Sequence, residues 1–146
     1  MRIAVVNGPN LNLLGVREPE VYGRESLADV ERRLREVAGE LSVTLEFVQH
    51  NGEGQLIDAI HALRGKADAA IVNAGAYTHS SLALRDALVG VSLPFMEVHI
   101  TNVYAREPER RHSMLAPAAI GSICGLGTYG YELALRGLVR SLTARV

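Results

Sequence analysis

The chain has 146 residues, a formal net charge of −1, 48% hydrophobic and 21% charged residues. That length fits one domain over 1–146 with a core of its own. A near-neutral balance gives no overall field for nucleic acid or an anionic membrane, and no run of 18 apolar residues exists to span a bilayer. The start, "MRIAVVN", lacks the long apolar core and cleavage pattern of a signal peptide, so a cytoplasmic location is expected. A single cysteine, Cys124, excludes an internal disulfide and falls in an apolar run, where buried packing is expected.

Apolar and β-branched residues at 2–7 predict a first, buried strand. The spacing 27, 30, 34, 37, 38, 41 predicts a helix over 26–41, opened by a Ser26–Asp29 capping box. A second strand is expected over 43–49 and a helix over 54–65, ending at Gly65. A third strand at 69–73 leads to a serine-capped helix at 80–90. Strands at 94–100 and 118–124 follow, then a helix from about 128 to the C-terminus. Segment 101–117 shows no clear helical period. Five strands alternating with helices predict an α/β fold, three-layered, with a five-stranded parallel sheet in the flavodoxin-like order 2-1-3-4-5 and helices on both faces.

In such sheets ligands bind beyond the carboxyl ends of the strands. Asn7, Asn10 and Asn12 follow strand 1. Gln49, His50, Asn51 and Glu53 follow strand 2, and Asn73, Tyr77, Thr78 and His79 follow strand 3. Strand 4 ends on Glu97, His99, Thr101 and Asn102, then Arg106, Arg110, Arg111 and His112. Groups able to hydrogen-bond or move protons crowd this rim, whereas turns on the opposite rim, such as "RGKAD", carry ordinary surface residues.

Glu97 and His99 stand two apart on a strand and so point to one face. A carboxylate beside an imidazole fixes its tautomer and favours its protonated form, which suits a general acid; a plain strand-end ion pair is the other reading. The stretch "GVREPEVYG" (15–23) sets Arg17 and Tyr22 between two glycines. A phenol ordinarily keeps its proton at neutral pH. A cation about 4 Å away favours the phenolate by about 4 kcal/mol at an effective dielectric of about 20. The pair could therefore act as a base on a flap that closes over substrate, or the tyrosine could simply pack. Asn7, Asn10 and Asn73 could each serve a turn, Asn7 most of all because Gly8-Pro9 follows it. His50 and His61 carry no expected role.

"GLGTYG" (125–130) matches G-x-G-x-x-G. It lies in the last strand–helix unit, with no later strand to carry a ribose-binding acid, so a tight turn is the better reading. No metal site is expected among scattered histidines and arginines. The sole lysine, Lys66, falls on the wrong rim for an imine.

"NGPNLNLLGVREPEVYG", "NAGAYTHSSLALRDAL", "EVHITNVYAREPERRHS" and "GLGTYGY" resemble the type II 3-dehydroquinate dehydratases in order and over nearly the whole chain. The resemblance implies a flavodoxin-like dodecamer, a tetramer of trimers. It implies dehydration of 3-dehydroquinate to 3-dehydroshikimate in the shikimate route to aromatic compounds, without cofactor or metal. By motif, Tyr22 would be the base at C2, assisted by Arg17, and Asn10 would hold a water against the enolate. His99, oriented by Glu97, would protonate the leaving C1 hydroxyl. Asn73, His79 and Arg110 would bind hydroxyls, Arg106 would support the flap, and the amides of Ile100 and Thr101 would hold the carboxylate. Asp86 would reach a neighbouring subunit's site. Many relatives have serine at 101, and some have an acidic residue at 90, so no interface contact is carried over to Gly90. A non-catalytic metabolite-binding module on the same fold is the alternative; a dehydratase assay separates the two.

Overall fold

A computed structural model describes residues 1–144. Its sheet is parallel throughout, in the order β2-β1-β3-β4-β5, as the alternation predicts. The strands are β1 (Arg2–Asn7), β2 (Thr44–Gln49), β3 (Ala69–Asn73), β4 (Phe95–His99) and β5 (Gly121–Cys124). The helices are α1 (Pro19–Tyr22), α2 (Leu27–Leu41), α3 (Glu53–Ala62), α4 (Leu82–Gly90) and α5 (Tyr129–Thr143).

Side-chain alternation along the central strands builds two cores. Ile3, Val5, Ala69 and Ile71 face one way, onto Val30, Leu34 and Val37 of α2 and Ala134, Leu135 and Leu138 of α5. Ala4, Val6, Ala70 and Val72 face the other way, onto Leu56 and Ile60 of α3 and Leu84 and Leu88 of α4. β1 and β3 are apolar on both faces because helices cover both. The result is the three-layer, flavodoxin-like α/β fold.

Local chemistry sets the boundaries. The Ser26 hydroxyl accepts from the Asp29 amide at 3.1 Å while the Asp29 carboxylate accepts from the Ser26 amide at 2.9 Å, completing the expected capping box. Ser81 caps α4 by accepting from the Leu84 amide at 2.9 Å. α3 stops at Ala62, three residues before the expected Gly65, which lies beyond it at φ 73°.

Two further expectations change, at β5 and at Cys124. β5 begins at Gly121 rather than 118, because a 3₁₀ turn at Ala116–Ala118, with Pro117 inside it, occupies the preceding residues. Cys124 is half-buried, not buried, because β5 is an edge strand covered on fewer sides. Segment 101–117 forms short 3₁₀ turns at Val103–Ala105, Pro108–Arg110 and Ala116–Ala118. Among the described residues, no helix is long and apolar enough to cross a membrane.

Candidate active site

Parallel registration brings the carboxyl ends of β1, β3 and β4 to one edge. Asn7 pairs with Asn73 across β1 and β3, and β4 ends beside them at His99. One cleft at this edge is lined by Asn10, Arg17, Tyr22, Asn73, His79, His99, Ile100, Thr101, Arg106 and Arg110. These residues come from five separate stretches of sequence, so the fold and not the chain order assembles them.

His99 and Glu97 form the tightest pair. The His99 Nε2 lies 2.7 Å from the Glu97 Oε1, and both residues are buried. Glu97 does not line the cleft; it stands behind His99, where the Ser113 hydroxyl donates to the same Oε1 at 2.7 Å. The His79 ring stacks beside His99, with centroids 6.1 Å apart and 21° between planes. The His79 Nδ1 donates to the His112 carbonyl at 2.8 Å, because a carbonyl can only accept. When His79 is neutral its Nε2 is therefore an acceptor.

The 15–23 stretch contains regular structure. A short helix, α1, starts at Pro19 and ends on Tyr22. Gly15 and Gly23 bracket it at φ 91° and 86°, backbone that glycine adopts without strain. The Arg17 guanidinium lies 4.6 Å from the Tyr22 ring centroid and that of Arg106 lies 5.2 Å from it. Arg110 is held above its usual range, first by its 2.6 Å hydrogen bond to Glu107 and next among the charges by Tyr22. Two guanidinium groups thus lie against one phenol ring, with Arg110 lining the same cleft, where the sequence reading paired only Arg17 with it. Arg106 also donates to the Thr101 hydroxyl at 3.3 Å, tying the arginine to the strand end.

Asn73 and Asn7 are held by a residue that sequence reasoning missed. The Tyr131 hydroxyl, on α5, accepts from the Asn73 Nδ2 at 2.9 Å and donates to the Asn7 Oδ1 at 2.5 Å. Tyr131 is fully buried, and burial pushes its phenol upward, so it stays protonated and can donate. Asn7 is therefore not a turn residue: it is buried and ends β1 with its side chain committed to α5. Asn73 also accepts from the Gly75 amide at 3.2 Å, which fixes its amide orientation. Asn10 has the left-handed backbone (φ 69°) that asparagine tolerates, and its amide donates to the Asn51 Oδ1 at 3.0 Å.

Asp86 stands apart. It lies exposed on α4 beside His61 and Arg64 and does not line the cleft of its own chain. "GLGTYG" leads from β5 into α5, with Gly125 and Gly127 in the turn at φ 91° and 62°, which backbone geometry accounts for, and Gly130 buried in the first turn of α5.

A mixed rim of one buried carboxylate–imidazole pair, one phenol among arginines, and amide side chains suits removal of a proton beside a carbonyl with loss of a leaving group. The dehydroquinase class II family model matches residues 1–139. A 3-dehydroquinate dehydratase of Gemmatimonas aurantiaca is 63% identical over 142 residues, covering 97% of this chain and 93% of that one. A catabolic 3-dehydroquinase of Verticillium alfalfae is 55% identical over 141 residues, covering 97% and 94%. The crystal structure of a type II dehydroquinase from Butyrivibrio crossotus superposes with a TM-score of 0.92 at 42% identity, covering 94% of this chain and 97% of that one. The chain belongs to the class II dehydroquinase family.

Proposed function

We propose that this cleft converts 3-dehydroquinate to 3-dehydroshikimate by eliminating water through an enolate. The observation that carries the reading is that Tyr22, flanked by Arg17, and His99, backed by Glu97, line the same cleft. The relatives named for this activity support it, and nothing in their names supports the non-catalytic alternative.

A proton beside a ketone is weakly acidic, and a hydroxyl is a poor leaving group. The reaction therefore needs a base, donors for the growing oxyanion, and an acid. Tyr22 as phenolate takes the C2 proton, and the guanidinium of Arg17 stabilises that phenolate and the charge that develops. Asn10 holds a water against the enolate oxygen. His99 as imidazolium, oriented by Glu97, protonates the departing C1 hydroxyl. Water leaves, and the conjugated double bond forms.

The remaining lining residues bind and orient. Asn73, His79 and Arg110 hold the substrate hydroxyls. The backbone amides of Ile100 and Thr101 hold the carboxylate, and Arg106 keeps α1 over the site through Tyr22 and Thr101. All of this proceeds with side chains and water, with no cofactor or metal. Asp86, remote from its own cleft, contributes to a neighbour's site in a dodecamer built as a tetramer of trimers. The one-domain enzyme works in the cytoplasm, in the shikimate route to aromatic compounds.

The test is the ultraviolet absorbance of the conjugated enone when purified protein meets 3-dehydroquinate. Steady product formation supports the proposal; saturable binding with no product would return the non-catalytic reading.

A further inference from the structure

Ser113 has no role in the mechanism above, yet it is the one side chain hydrogen-bonded to Glu97 besides His99, among the described residues. It lies in the irregular segment after β4, just before the 3₁₀ turn at Ala116–Ala118. Its hydrogen-bond capacity is fully used. A serine hydroxyl has one hydrogen and two lone pairs. The Ser113 Oγ accepts from the amides of Leu115 at 3.1 Å and Ala116 at 2.9 Å, so both lone pairs are occupied by backbone donors. Its single hydrogen is left for the Glu97 Oε1, 2.7 Å away. The turn thus fixes the hydroxyl as a donor.

That direction propagates. The Glu97 Oε1 already receives the Ser113 hydrogen and so stands as an acceptor. A carboxylate oxygen that carries no hydrogen can only accept. The His99 Nε2, 2.7 Å from that same Oε1, must then carry a hydrogen. The other ring nitrogen, Nδ1, has no hydrogen-bond partner among the described residues and is the one left for a ligand, on a residue that lines the cleft. The other Glu97 oxygen, Oε2, is buried without a side-chain or backbone partner, so the polar ties of the carboxylate run through Oε1 alone.

We propose that Ser113 is a positioning residue that, through Glu97, locks neutral His99 as its Nε2–H tautomer, so that Nδ1 is the nitrogen that carries the proton to the departing hydroxyl. The backbone turn at Leu115–Ala116 aims Ser113, Ser113 aims the carboxylate, and the carboxylate selects the imidazole nitrogen. In the reversed tautomer His99 would offer no hydrogen to the Glu97 Oε1, and its Nδ1 would be a donor when the acid is spent, unable to take a proton back for the next turnover.

This inference rests on His99 being the general acid, but the tautomer can be read without substrate, so its failure is separable from failure of that assignment. The measurement is two-bond ¹⁵N–¹H NMR of histidine-labelled protein at a pH where His99 is neutral, with His99 assigned by the signal lost in His99→Gln. Wild type should show only the Nε2–H tautomer. Ser113→Ala should show a tautomer mixture and a kcat lower by about tenfold with KM within about twofold, as for loss of a group that orients a functional histidine. Ser113→Thr keeps the hydroxyl and should restore both. If Ser113→Ala does not fold, Ser113→Cys, a weak donor of similar shape, carries the same expectation as the alanine variant. A wild-type Nδ1–H tautomer, or an alanine or cysteine variant with unchanged tautomer and kcat, would overturn the proposal.

Discussion

The Arg17 guanidinium stacks 4.6 Å from the centre of the Tyr22 ring, joining the two chemically active side chains of the 15–23 stretch into one unit. The helical turn Pro19–Tyr22 makes this possible. It folds the chain back so that residues five apart in sequence meet. A cation over an aromatic face is attracted to the ring whether the phenol is neutral or ionised, so the arginine is in place before the base forms. Ionisation then adds charge attraction to a contact that already exists.

Tyr22→Phe keeps the ring and this stacking but removes the proton acceptor. Turnover should fall by about 10²-fold or more, the usual scale of a general base, with the folded state retained. Arg17→Lys should also lower turnover, by about tenfold, since a point charge cannot reproduce a planar guanidinium stacked on a ring. Steady-state kinetics on both variants, with circular dichroism as the folding control, checks this. A lysine variant with wild-type kinetics would show that position and shape of the cation are unimportant.

Tyr131→Phe should destabilise the fold as well as weaken substrate binding. Removing the hydroxyl leaves the buried Asn7 Oδ1 and Asn73 Nδ2 without their partner. Stranded buried polar groups cost about 1–3 kcal/mol each when neither finds a new partner. The urea midpoint should drop with an unchanged slope, and KM should rise because Asn73 loses its fixed orientation. An unaltered midpoint would mean that another group satisfies both amides.

The contrast between Tyr131 and the rest of the site indicates how far the sequence is legible. Strand order and layering follow from alternating apolar strands and 3.6-residue periods, and Glu97 with His99 follows from a two-residue strand spacing. Tyr131 shares the helical spacing of Ala134, Leu135 and Leu138, which marks it as core. A buried phenol needs a partner, so a search for that partner was open at the sequence level; its identity depended on strands more than fifty residues away. Ser113 gave no signal, because its contact with Glu97 depends on the path of a segment with no hydrophobic period. Asn7 misled for a related reason: the following Gly-Pro favours a turn, and only tertiary packing commits the side chain to α5. The ends of α3 and β5 shifted by about three residues where local turn geometry, rather than burial, decided them.

Stability should depend on pH through Glu132. This carboxylate is 7% exposed and bridges α2 to α5, accepting from Arg33 at 3.0 Å twice and from Arg136 at 3.1 Å. Arg33 first, and then Arg136, hold it below its ordinary 4.5. A carboxyl depressed in the folded state contributes stability that is present above its unfolded value and lost as pH falls through the folded one. Glu132→Gln should therefore cost about 1 kcal/mol at pH 7, discounted because the arginines are solvent-exposed. The gap should begin to narrow as pH falls below the ordinary 4.5 and shrink further as it falls through the lower folded value. Urea unfolding of both proteins at pH 7 and pH 3.5 measures it; an equal gap at both would place the stabilisation elsewhere.

Asp86 supplies a test of shared sites. Tyr22→Phe and Asp86→Ala chains should each be weak. Dissociated, mixed and reassembled, some sites would combine Tyr22 from one parent with Asp86 from the other, and activity should exceed the parental mean. A closed ring with head-to-tail contacts gives every site such a neighbour. No gain, with chain exchange confirmed by mass spectrometry, would assign Asp86 to its own chain or to no site.

The division of labour between base and acid is tested most directly by proton exchange at C2 of 3-dehydroquinate in deuterated water, followed by NMR alongside dehydration. In His99→Ala the base remains, so C2 exchange should persist while formation of the enone falls by about 10²-fold or more. In Tyr22→Phe, exchange and dehydration should fall together. Exchange at the wild-type rate in Tyr22→Phe, or normal dehydration in His99→Ala, would contradict the assignment of Tyr22 as base and His99 as acid.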